Sequence, residues 1–164
     1  METELSLTLR KIVDKFGDAV IDARRFDQDT VVVSKSVILE LARFLRDDPE
    51  LKYNYLMDLT AVDYDKRRPR FEVVYHFFSL ENNTRVRIKA PVGEPDPEIE
   101  SLTSLYKIAN WLERECWDMF GVKFRNHPDL TRLLMYPEFV GHPLRKDYPV
   151  TKRQPLVGPK DSPA

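Results

Sequence analysis

Leu5, Leu9, Ile12, Val13 and Phe16 recur at helical spacing with Arg10, Lys11, Asp14 and Lys15 between them. The pattern predicts a first amphipathic helix that Gly17 ends. Ala19 to Arg24 and Thr30 to Ser34 are short β-prone runs, and Phe26-Asp27-Gln28-Asp29 between them reads as a turn, so a hairpin or two neighbouring strands is expected. Val37, Ile38, Leu41, Phe44 and Leu45 give a second amphipathic helix, with Ser34 or Ser36 as its cap and Asp47-Asp48-Pro49 as its end. Tyr55 to Asp63 lacks a clean period, but its Thr60-Ala61-Val62 favours a partly buried strand. Phe71, Val73, Tyr75 and Phe77 alternate, and beyond Asn82-Asn83 so do Val86 and Ile88 with Arg85, Arg87 and Lys89. These are two antiparallel strands with one polar face. After a loop marked by Pro91, Gly93, Pro95 and Pro97, the residues Ile99, Leu102, Leu105, Ile108, Ala109 and Leu112 predict a third amphipathic helix running into Glu113.

Beyond that helix the periodicity fails. Gly121, Pro128, Pro137, Gly141, Pro143 and Pro149 are spaced too closely for a long helix or strand. Phe120, Phe124, Tyr136, Phe139 and Tyr148 in the same stretch need burial somewhere. From Gly121 on, seven of the twelve prolines and eight Lys or Arg against four Asp or Glu make a segment that buries little by itself. The expected architecture is α+β: a compact domain of mixed or antiparallel sheet with three amphipathic helices over residues 1–120, then an extended Pro-rich arm over 121–164 that docks on partner proteins.

Composition narrows the function. With 164 residues and 42% hydrophobic side chains a real core is possible in one domain, and 26 basic against 27 acidic residues leave no global field to attract nucleic acid or an anionic membrane. No apolar run approaches the roughly 20 residues of a spanning helix, and Met1-Glu2-Thr3-Glu4 lacks the basic start of a signal peptide, so a cytoplasmic setting is expected. The single cysteine, Cys116, excludes an internal disulfide framework and an iron–sulfur cluster held wholly by this chain.

Glu113, Glu115, Asp118 and His127 are the side chains to suspect of metal or acid–base chemistry. Glu113 and Glu115 point in different directions on a helix, and no second histidine stands at ligand spacing, so helix-end ion pairs with Arg114, Arg125 or a partner are the better reading. Cys116 beside Trp117 reads as a buried inert thiol, and a Cys116–His127 nucleophile and base would lack an orienting third group. His76 and His142 read as structural. The five glycines form no phosphate-binding loop. Lys66-Arg67-Arg68-Pro69-Arg70 reads as a solvated loop or a salt-bridge site, balanced by Asp63, Asp65 and Asp147.

Glu113-Arg114-Glu115, Asp118-Met119-Phe120-Gly121, His127-Pro128-Asp129-Leu130 and Gly141-His142-Pro143-Leu144-Arg145-Lys146-Asp147-Tyr148-Pro149 together resemble the signature of the C-type (30 kDa-type) subunit of respiratory complex I, the proton-pumping NADH:quinone oxidoreductase. The likeness extends upstream through Leu59-Thr60-Ala61-Val62-Asp63-Tyr64, Phe71-Glu72-Val73-Val74-Tyr75 and Ala109-Asn110-Trp111-Leu112. Cys116-Trp117, Asn126 and Thr131 depart from the family's usual residues. Because the chain ends soon after the motif, it resembles the free-standing form and not the one fused to a D-type partner. The resemblance implies a non-catalytic scaffold with no catalytic, metal or cofactor-binding residue of its own, FMN and Fe–S clusters being held by partner subunits. It also implies a peripheral place on the cytoplasmic side of the cell membrane, beside the D-type subunit of the quinone pocket and the B-type subunit of the terminal cluster. On this reading Phe120, Phe124, Tyr136 and Phe139 are partner anchors, and Arg145, Lys146 and Asp147 fix the register. An equivalent subunit of a membrane-bound hydrogenase-type complex and a small independent Cys/His enzyme are the alternatives.

Overall fold

In this computed structural model, residues 5–25 and 27–154 are described. The turn expected at Phe26–Asp29 falls partly outside them. Helix α1 (Leu7–Phe16) begins at Ser6, whose hydroxyl accepts the Leu9 N–H, and buries Leu9, Ile12 and Phe16. Strands β1 (Val20–Arg25) and β2 (Asp29–Val33) pair antiparallel, as the two β-prone runs predict. Ser34 caps a short 3-10 turn, Lys35–Val37, that leads into α2 (Ile38–Asp47), whose Ile38, Leu41, Ala42 and Leu45 face the core.

Strands β3 (Tyr55–Asp63), β4 (Phe71–Ser79) and β5 (Thr84–Val92) form an antiparallel meander. The main sheet runs β1-β2-β5-β4-β3, and only its β2–β5 neighbours are parallel. Residues on one face of each strand, among them Val31, Val33, Leu59, Ala61, Tyr75, Phe77, Val86 and Ile88, enter a single core with α1 and α2. The same alternation puts Glu72 and Lys89 on the other face, where their side chains pair at 2.8 Å. Tyr106 ties the layers together: its buried hydroxyl donates to the Tyr53 carbonyl at 2.7 Å.

The third helix is shorter than its apolar pattern predicts. Glu98–Glu100 is a strand, β6, followed by irregular turns, and α3 spans Ala109–Phe120. Ile99 and Leu102 are buried as expected, but β6 finds its ladder in a parallel pair with β7 (Lys123–Arg125). That pairing joins residues on either side of α3 in sequence, so local spacing carries no trace of it. The compact unit therefore extends past the boundary expected at residue 120, because Val122 and Phe124 are core residues. Phe124, expected as a partner anchor, is only 3% exposed and packs inside its own chain.

Replacing Phe124 with Ala removes a ring from this core and is expected to cost about 3–5 kcal/mol of stability. Urea denaturation of the full chain measures it, and a loss below about 1 kcal/mol would mean that the ring is not integral to the core.

Candidate functional site

Residues 126–154 contain no helix or strand, yet they follow α3 from its beginning to its end. The His127 ring donates from Nε2 to the Asn110 carbonyl at 3.2 Å and accepts the Asp129 N–H at Nδ1. One turn further along the helix, Arg114 donates to the carbonyls of Thr131 and Arg132, both at 3.1 Å. Another turn on lies Asp118, which is fully buried.

Asp118 is the centre of the arrangement. Its Oδ2 accepts three successive backbone N–H groups, those of Leu133, Leu134 and Met135, at 3.1, 2.9 and 2.9 Å. Its Oδ1 takes the Arg132 guanidinium at 2.5 Å, and the other guanidinium nitrogen of Arg132 reaches forward to the carbonyls of Phe139 and Gly141. Burial pushes the carboxyl pKa up, but the backbone donors and Arg132 outweigh it and hold the group below its usual range. The expected partners Arg114 and Arg125 are engaged elsewhere, Arg125 with Glu98 and Glu100. Nothing along the sequence singles out Arg132, since its partner stands fourteen residues back and the stretch between is not periodic.

The arm then closes the end of the helix. The last carbonyls of a helix have no partner within it. Here the Asp118, Met119 and Phe120 carbonyls accept from His142 Nδ1 at 3.0 Å, Leu144 N–H at 3.1 Å and Arg145 Nε at 2.6 Å. Gly121 makes the turn at φ +76°, and a Cβ there would lie 2.6 Å from both Arg145 and His142. Arg145 also places its charge at the negative end of the helix dipole. The Gly141-His142-Pro143-Leu144-Arg145 stretch is thus a C-terminal cap supplied from a distance in sequence. Gly141, at φ +107°, lets the chain pass the Tyr148 ring, to which a Cβ would come within 2.9 Å.

A second clamp joins the arm to the sheet. Arg70, expected in a solvated loop, is only 5% exposed. Its guanidinium bonds Asp63 at 2.7 and 2.8 Å, Glu94 at 2.7 Å and Asp147 at 3.0 Å. Asp63 also accepts the Lys146 N–H at 2.8 Å. Arg70 holds the Asp63 and Asp147 carboxyls below their usual range, with the backbone N–H groups of Lys146 and Asp65 adding to the effect at Asp63. Arg145 and Asp147, expected to set register on a partner, fasten the arm to its own domain. The Lys146 side chain points to solvent, and Asp147 remains half exposed while its carboxylate pairs with Arg70.

The remaining candidates do not converge on a reaction centre. Glu113 is fully buried; its carboxylate accepts the Leu102 N–H and the Ser101 hydroxyl, both at 2.7 Å, and so braces the turns before α3. Burial pushes its pKa up to about 7. Glu115 is exposed. Cys116 is buried, and burial raises its thiol far above the range in which a thiolate forms at neutral pH. His127 is occupied with Asn110 and Asp129 as described, so Cys116 and His127 do not form a pair. His142 lies against Trp117 at 6.1 Å between ring centroids. Burial lowers its pKa, although its bond to the Asp118 carbonyl opposes this. Phe120 packs against the core, and Phe139 is sandwiched between Tyr136 and Tyr148. Pro128 is exposed and Pro143 half-buried, while Leu134, Tyr136, Val140, Leu144 and Val150 are left facing outward.

Fold and site together define an α+β protein whose charged signature residues hold an irregular arm against one helix and one sheet edge. Residues 31–154 match the family described as respiratory-chain NADH dehydrogenase, 30 Kd subunit. The C-type subunit of NADH-quinone oxidoreductase from Citrifermentans bemidjiense is 50% identical over 151 residues, covering 90% of this chain and 92% of that protein. The solved structure of a trypsin-resistant Nqo5 fragment aligns with a TM-score of 0.63 at 30% identity, over 76% of this chain and 100% of the fragment. A chain of a membrane-bound sulfane sulfur reductase, an archaeal respiratory membrane complex, shares the fold with a TM-score of 0.71 at 23% identity, covering 94% of this chain and 96% of that one. The chain belongs to the family of the 30 kDa subunit of respiratory-chain NADH dehydrogenase.

Changing Asp118 to Asn keeps an oxygen for the backbone donors but sets an amide against Arg132. The expected loss is about 3–5 kcal/mol, the cost of breaking a buried pair. Amide hydrogen exchange at Leu133, Leu134 and Met135 is expected to accelerate more than that of β4, and unchanged protection there would contradict the role of Asp118. Glu113 acts in the opposite pH sense to Asp118 and Asp63. Its folded-state pKa is raised, so the folded chain holds its proton more tightly, and stability falls as pH rises from about 4.5 towards 7. Glu113→Gln, which can keep both hydrogen bonds, is expected to gain on the wild type across that window by something on the order of 3 kcal/mol. A pH-independent difference in denaturation free energy would refute this.

Proposed function

We propose that this chain is a non-catalytic scaffold subunit in the peripheral arm of NADH:quinone oxidoreductase, the complex that passes electrons from NADH through FMN and Fe–S centres to quinone and couples this to proton translocation. The observation that carries the reading is 50% identity to the C-type subunit of an NADH-quinone oxidoreductase over nine-tenths of the chain. The geometry supports it, because Glu113, Asp118 and His142 are engaged in holding the fold and Cys116 is sealed in the core.

Its neighbours on this reading are the D-type subunit that forms the quinone pocket and the B-type subunit that holds the terminal cluster, on the cytoplasmic side of the membrane. Its contribution is shape and contact area, and the outward apolar side chains of the arm are suited to that. A hydrogenase-type complex is the less favoured setting, given the high identity to an NADH-quinone relative.

Affinity purification through a tag on this chain from native membranes is expected to bring down D-type and B-type subunits together with NADH:quinone activity. The isolated chain is expected to turn over neither NADH nor quinone. Recovery of the chain alone, or of a complex without NADH oxidation, would refute the assignment.

A further inference from the structure

Residues 140–154 close on themselves. Gln154 bridges both backbone groups of Val140, accepting its N–H at 3.3 Å and donating to its carbonyl at 2.9 Å, and also donates to the Tyr148 hydroxyl at 2.7 Å. Inside the loop Tyr148 stacks on Phe139 at 6.0 Å, and Arg145 and Asp147 turn inward onto α3 and Arg70. Such a compact loop with bridged ends keeps its shape without a partner.

What it presents outward is mainly apolar and cationic. Val140 and Leu144 are more than half exposed, and Val150 is wholly exposed. The exposed charges beside them are Lys146, Lys152 and Arg153, none of which makes an ion pair among the described residues. The only acidic residue of the loop, Asp147, is half exposed, but its carboxylate is paired with Arg70. An apolar centre whose rim carries three cations without an ion pair and one carboxylate already neutralised by Arg70 calls for an acidic complementary surface.

We propose that this loop is the docking face of the chain, and that its occupant is a protein surface with an apolar centre ringed by Asp and Glu side chains. The proposal rests on the scaffold reading above and deepens it by naming the contact. An anionic membrane is the weaker occupant, since three cations with neither an amphipathic helix nor a lipid chain attach poorly to a bilayer.

The test uses the assembled complex, purified through a tag on this chain after treatment with a zero-length carbodiimide that joins lysines to carboxylates. Mass spectrometry is expected to find Lys146 or Lys152 linked to an Asp or Glu of another polypeptide of the complex. The triple variant Lys146→Glu, Lys152→Glu, Arg153→Glu, and separately Val150→Asp, are each expected to lower the yield of co-purified subunits at least tenfold. The denaturation midpoint of the full chain alone should change little, because among the described residues these side chains lose only the surface contact of Lys152 with the Tyr148 ring. Full yield from the triple variant overturns the proposal while wild-type yield keeps the scaffold reading. Loss of yield with no carboxylate cross-link overturns the acidic rim. Intact yield together with charge-dependent binding to anionic phospholipid vesicles gives the face to the membrane instead. A wild-type chain that brings down no companion at all defeats both readings.

Discussion

A buried carboxylate is costly unless every lone pair is used, and Asp118 uses its own on four donors that all belong to the arm. This makes the arm and helix α3 interdependent. Without Arg132 and the three backbone N–H groups, Asp118 would be a charge sealed in an apolar setting. Without Asp118, residues 132–135 would have no ladder to replace it. The rest of the arm follows from that anchor, because Arg132 passes the constraint on to the Phe139 and Gly141 carbonyls and His142 returns the chain to the end of the helix.

The clamp at Arg70 works by the same physics in a different place. One guanidinium gathers carboxylates from β3, from the loop after β5 and from the arm, so three remote parts of the chain meet at one cation. A segment with so many prolines and so few apolar contacts would not hold a shape by burial alone. Charge-assisted bonds at its two ends do what a hydrophobic core does elsewhere. An arm ordered in advance loses less entropy when it meets a partner, which suits the scaffold role proposed for the chain.

The acidic and thiol groups that look chemically promising serve packing. Glu113 replaces helical hydrogen bonds for the turns ahead of α3, and its burial is tolerated because both oxygens are engaged. Cys116 fills space beside it. Tyr75, whose buried hydroxyl finds no partner among the described residues, stacks on Phe77 and contributes as an aromatic ring.

Much of this is legible along the chain, and the limit is physical. Periodicity locates α1, α2 and the meander of β3, β4 and β5, because amphipathic spacing is a local consequence of facing one core. The Glu113 to Pro149 signature marks the region that matters, and its glycines stand where a turn at positive φ or a close ring requires them. Spacing does not reveal that Ile99 belongs to a strand, since β6 exists only because β7 lies beside it. Nor does it show that Arg70 is a buried cation, that Arg132 pairs with the buried Asp118, or that Arg145 and Asp147 grip their own domain. A side chain's partner is decided by which segments the fold brings within about 3 Å, and that distance is set by the packing of the whole chain rather than by its neighbours in sequence.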